Sequence, residues 1–162
     1  MEDTRRRFLV IGLTAGLVLA LALPAVAAGG HAKANGSVVW TSASGRAGIT
    51  THFSLHDRDG DDVRGSFVSM TIPLAGGGVE WREISVECVT IDGDTARWGG
   101  HITATNNPTL LGDPIIGWVR DGGTPGAAGD GMGTWANPGK PLCSHTFTGG
   151  GTVTAGNLTV MP

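Results

Sequence analysis

The chain has 162 residues, a formal net charge of −3, 28 glycines, five tryptophans and no tyrosine. That is one domain's worth of polypeptide, long enough to bury a core. Its mildly acidic balance argues against a nucleic-acid partner, which usually needs a basic stripe.

The first element in chain order is an export signal. Arg5, Arg6 and Arg7 precede an apolar run from Phe8 to Leu23 and the small-residue site Ala25-Val26-Ala27, the order of a secretory signal peptide cut between Ala27 and Ala28. The apolar run, interrupted by Gly12, Thr14 and Gly16, falls short of the roughly 20 residues a bilayer core requires, so no stable membrane span is expected after cleavage. Thr4 to Leu9 resembles a twin-arginine signal, with Val10 where lysine is common, and both export routes stay open. No cysteine lies near the cut, which argues against a lipid anchor. Residues 1–27 are thus read as signal, 28–36 as a short flexible segment and 37–162 as a single domain, secreted or held in the cell envelope.

From Ser37 onward the pattern is strands punctuated by glycine. Ile49, Thr51, Phe53 and Leu55 alternate with Thr50, His52, Ser54 and His56, the period of two that suits a half-buried strand. Asp59-Gly60 breaks the run, which resumes from Asp61 to Ile72. Gly76-Gly77-Gly78 leads into a third long segment from Val79 to Ile91, and a fourth runs from Asp94 to Thr105. A loop marked by Asn106-Asn107-Pro108 and Gly112-Asp113-Pro114 precedes a strand from Ile115 to Arg120. Residues 121–141 are dense in Gly and Pro and read as a flexible loop with a short strand around Met132 to Ala136. Two strands separated by Gly149-Gly150-Gly151 close the chain. Seven to nine strands without helical periodicity define an all-β antiparallel meander, and strands of about 12 residues favour closure as a small barrel over a β-sandwich.

Asp92-Gly93-Asp94 raises the question of a metal or sugar site. Register favours a corner instead: a three-residue loop Ile91-Asp92-Gly93 pairs Thr90 with Asp94 and brings Ile84, Val86 and Cys88 onto one face with Ala96, Trp98 and Ile102. Cys88 and Cys143, in an exported chain, are expected to close a disulfide. Two separately buried thiols remain the alternative reading of the same spacing.

The runs FSLHDRDGDDVRG (Phe53 to Gly65), VECVTIDGDTARW (Val86 to Trp98), VRDGGTPGAAGD (Val119 to Asp130) and GGGTVTAGNLTV (Gly149 to Val160) follow one another in an order that resembles the post-COAP domains. These are small β domains found beside choice-of-anchor modules in secreted bacterial proteins. The resemblance spans most of the chain after the signal and implies an exported all-β domain. It brings no activity and no catalytic residues. The chain departs from the family in its two cysteines and in lacking a histidine after the terminal strand.

Motifs that carry chemistry are scarce. His52 and His56 lie four apart on a strand, roughly 13 Å from each other, too far to share one ion. Glu83 and Glu87 are separated by the same distance, beyond the roughly 5–9.5 Å that paired-carboxylate glycoside hydrolysis uses. The run from Asp57 misplaces its glycine for a calcium loop and has Val68 where a bidentate glutamate belongs. Ser144 and His145 are adjacent and so face opposite ways on a strand. No nucleophile elbow or phosphate-cradling loop occurs. No metal, cofactor or catalytic residue is therefore assigned. The tryptophans Trp40, Trp81, Trp98, Trp118 and Trp135 are expected mainly to fill the core, with Trp135 and then Trp118 as candidates for an exposed platform that could stack a sugar ring.

The leading expectation is a secreted, non-enzymatic β module acting structurally or by weak contacts at the envelope. A carbohydrate or envelope-polysaccharide binding domain using Trp135 and Trp118 is the alternative, and a small barrel enzyme with a cavity in its mouth is a third.

Overall fold

A computed structural model describes residues 31–58, 63–123, 129–136, 143 and 149–162. Eight strands follow one another around a closed antiparallel barrel: β1 (Ala32–Thr41), β2 (Ile49–Asp57), β3 (Phe67–Pro73), β4 (Val79–Asp92), β5 (Thr95–Thr105), β6 (Pro114–Arg120), β7 (Gly131–Ala136) and β8 (Gly151–Met161). Each strand pairs with the next in sequence, and β8 returns to β1. A single 3-10 turn at Pro108–Leu110 interrupts the link from β5 to β6. Among the described residues no helix is long and apolar enough to cross a membrane. Eight strands enclose just enough room for side chains, and the alternating inward residues fill it, with Trp98, Leu55, Met70, Ile102, Ile115 and Met132 among the largest fully buried.

Two expectations are corrected here. Residues 32 to 36, taken as flexible, form the first half of β1, where Lys33 pairs with His56 on one side and Met161 on the other. The Asp92 corner is also tighter than expected: Asp92 pairs with Thr95 and leaves Gly93-Asp94 as a two-residue turn. Gly93 has φ 58 at the first turn position, the positive value that primed hairpin turns demand. The difference arises upstream. Register shifts between Glu83 and Ile84 and between Val86 and Cys88 interrupt the alternation. After the second shift it is Val89, 5% exposed, that faces Trp98, while Cys88 pairs with Gly99 on the outer side and is half-buried. The inward placement of Cys88 is thereby overturned. At the same irregularity a Cβ on Gly100 would stand 2.0 Å from the Ser85 carbonyl oxygen, so only glycine lets the strands close there.

Among the described residues the seam between β7 and β8 has two pairs, Gly131–Thr152 and Met132–Gly151, against nine between β1 and β8. Backbone polar groups left beyond those pairs find other partners, as buried ones must. The Val153 N–H donates to the Asp130 carbonyl at 3.3 Å, and the Val160 N–H donates to Oδ2 of Asp121 at 3.1 Å.

Candidate functional site

Alternation fixes which side chains stand outside this seam. Ala96 and Trp98 of β5, Val119 of β6 and Met132 of β7 point inward and are buried. Their neighbours Arg97, Trp118, Arg120, Gly131 and Gly133 therefore share the outer face. Cross-strand pairing sets them in two rungs, Arg97–Trp118–Gly133 and Thr95–Arg120–Gly131–Thr152.

Trp118 lies over bare backbone. A Cβ would meet its ring at 2.7 Å from Gly131 or Gly133 and at 2.1 Å from Gly150. All three distances are well inside the roughly 3.5–4.0 Å of ordinary carbon contact, so two glycines of β7 and the one just before β8 make the bed for one indole. Its Nε1 is buried and has no hydrogen-bond partner among the described residues. Leaving such a donor unpaired costs about 1–3 kcal/mol, so packing on glycine, not a hydrogen bond, holds the ring in place.

The result is an outer groove of about 510 Å³, lined by Thr95, Arg97, Trp118, Arg120 and Asp130 together with the glycine backbone at 129, 131 and 149–151. Arg120 Nη2 donates to the Gly129 carbonyl at 3.3 Å. Asp130 is 5% exposed and its Oδ1 accepts the Gly122 N–H at 2.8 Å. Arg97, half-buried, makes neither hydrogen bond nor ion pair among the described residues.

Trp118, one of the two tryptophans singled out in the sequence, sits in this groove. Trp135 stands one rung away, opposite Ile116, on β7, the short strand expected around Met132 to Ala136. It is half-buried, and its Cη2 comes as close to a Cβ on Gly133 as Trp118 Nε1 does, 2.7 Å, so the two indoles meet over that glycine. Trp135 also borders a smaller hollow of about 300 Å³ beside Trp40, Ser42 and Ser44. The exposed indole is Trp81, at 39%, which sequence reasoning did not single out. Only Trp40 and Trp98 join the core; Trp40 Nε1 donates to the buried Thr51 hydroxyl at 3.0 Å. Cys88 and Cys143 form the expected disulfide, with Cα atoms 6.0 Å apart. Ala27 and Ala28, Ser144 and His145, and the Asp59-Gly60 turn lie outside the described residues.

Arg97, Arg120 and the glycine bed were missed. Their signal is period-two alternation on both sides of the core residues, as in Gly117-Trp118-Val119-Arg120 and Gly131-Met132-Gly133. In the sequence the glycines read as loop.

A second cluster lies at one end of the barrel. Glu80 and Arg82 pair with each other on the inward side of β4, and Asn107 Nδ2 donates to Glu80 Oε2 at 3.0 Å. Burial pushes the Glu80 carboxyl up, but hydrogen bonds from Asn107 and Arg82 and the nearby charges of Arg82 and Arg46 more than offset it and hold the group below its ordinary 4.5. A carboxylate so engaged is poorly suited to taking up a proton near neutral pH.

The chain matches no protein-family model, no curated protein and no solved structure.

Proposed function

We propose that this is an exported, non-enzymatic binding module that holds an envelope polysaccharide in the outer groove over the β7–β8 seam. The observation that carries the reading is the bed of Gly131, Gly133 and Gly150 beneath Trp118. A tryptophan serving only the core would point inward, as Trp98 does. Here an indole is laid along the outside of the wall, beside a groove whose other walls offer backbone and guanidinium donors. Aromatic faces flanked by hydrogen-bond donors suit sugar rings, which present apolar C–H faces edged with hydroxyls. The non-enzymatic part is supported by the engaged state of the cluster around Glu80. The Cys88–Cys143 disulfide supports export to an oxidising compartment.

The test is pull-down of the mature protein on a panel of insoluble and immobilised polysaccharides, neutral and acidic, with tryptophan emission followed on binding. Trp118→Ala should abolish retention, Trp118→Phe should keep part of it, and Trp81→Ala, near the end of β4 remote from Arg97, should have no effect. Retention that survives Trp118→Ala in a folded protein would refute the groove as the site.

A further inference from the structure

We infer that the groove selects a carboxylate-bearing polysaccharide, one built from uronic acids, over neutral glycans, an inference that rests on the glycan-binding reading of the same site. Arg97 faces Trp118 and Arg120 faces Thr95, so the two arginines are diagonal cross-strand neighbours on one face. Their Cα atoms then stand about 7–8 Å apart, close enough for like charges to repel. Nothing among the described residues neutralises them. Arg97 is unpartnered, and Arg120 has the neutral Gly129 carbonyl. Asp130, the carboxylate lining the groove, is directed at the Gly122 N–H and forms no ion pair with either arginine. Two adjacent, unneutralised guanidiniums run against the composition of a chain with net charge −3.

The neighbouring indole narrows the anion. A uronic acid joins a pyranose face to a carboxylate on the same ring, so a ring stacked on Trp118 carries its charge toward the flanking guanidiniums. Arg97 can take that carboxylate through two parallel N–H bonds, the geometry for which a guanidinium fork is built. Arg120, one rung along, lies in position for the next charge of an extended chain. A polyol phosphate would satisfy the arginines but offer no ring to Trp118. A neutral glycan would satisfy Trp118 and leave both charges unpaired in a partly desolvated groove.

The experiment compares polygalacturonate with its fully methyl-esterified form, two polymers of one backbone that differ in charge, by calorimetry on the mature protein. Polygalacturonate should bind at least about tenfold more tightly, and the gap should close as sodium chloride rises from about 50 to about 500 mM. Arg97→Gln removes a guanidinium that makes no hydrogen bond or ion pair among the described residues. It should weaken polygalacturonate binding by about tenfold and so narrow the gap between the two polymers. Lys33→Gln, the same loss of charge on β1, should change neither. Equal affinity for the two polymers, or binding of neutral glycans with none for polygalacturonate, would overturn the inference while the groove reading stands. Inorganic polyphosphate binding as tightly as polygalacturonate would overturn it in favour of a general anion site. Failure of the whole polysaccharide panel would remove the groove reading itself.

Discussion

Gly150→Ala tests the bed under Trp118 with a single methyl group. Gly150 carries no positive φ, so backbone strain is absent and the effect is steric alone. The new Cβ would lie 2.1 Å from Cζ2 and 2.9 Å from Cε2 of the indole. Restoring a contact of 3.5–4.0 Å requires that edge of the ring to retreat by about 1.5 Å. The ring also rests on Gly131 and Gly133, so it cannot slide within the sheet plane and must tilt outward. Forcing a methyl group into packed surroundings costs about 1–3 kcal/mol. For a domain of this size that lowers the thermal midpoint by roughly 3–10 °C. Differential scanning calorimetry reads the stability, and tryptophan emission should shift to the red as Trp118 tilts into water. An unchanged midpoint together with unchanged emission would show that the indole does not lie on the glycines.

Further outcomes follow from other parts of the barrel. Gly117→Ala puts a Cβ 2.3 Å from Cζ2 of the fully buried Trp98 and should destabilise by about 1–3 kcal/mol, whereas Gly76→Ala meets nothing within 4 Å and should be neutral or slightly stabilising on denaturant titration. Reducing the Cys88–Cys143 bond, which spans 55 residues, should cost about 4 kcal/mol by loop entropy, read as a lower thermal midpoint under reductant. Glu80 has a folded pKa held below 4.5, so its contribution is complete above that value and is lost as pH falls toward the folded pKa. Glu80→Gln should therefore flatten the acid limb of a stability–pH curve and lower stability near neutrality. Intact-mass measurement on secreted material should find Ala28 as the first residue, and a mature chain that keeps Phe8 to Leu23 would sink the export signal.

The barrel was legible where side chains alternate strongly. Ile49 to Leu55 and Ile84 to Val86 show their inward rows directly, and the order of hairpins gave the meander. What escaped notice lacked amplitude or broke phase. Ala32 to Gly36 carries small and polar residues, so no apolar row marked it as strand. At Glu87 and Cys88 the shift in pairing changes the face of later residues without changing the composition, so the register at Asp92 was misjudged from a rule that holds only for an uninterrupted strand. The groove was hidden for a different reason. Gly131, Gly133 and Gly150 have no side chain to announce a face, and their role appears only when β6 brings Trp118 across them. Arg97 and Arg120 drew no notice because the lack of a counter-charge beside them is a property of neighbours on other strands.

Lys33 faces Met161, so β1 begins beside the end of β8, and nine residue pairs join the two strands. The genetic order of the strands is then one way of cutting a ring. A short bridge from Pro162 to His31 and a new break between Ala136 and Cys143 would start the chain just upstream of the disulfide and β8, and end it with β7. Such a permutant would keep all eight ladders and the Cys88–Cys143 bond, and its new ends would fall beside the β7–β8 seam, which has two pairs among the described residues.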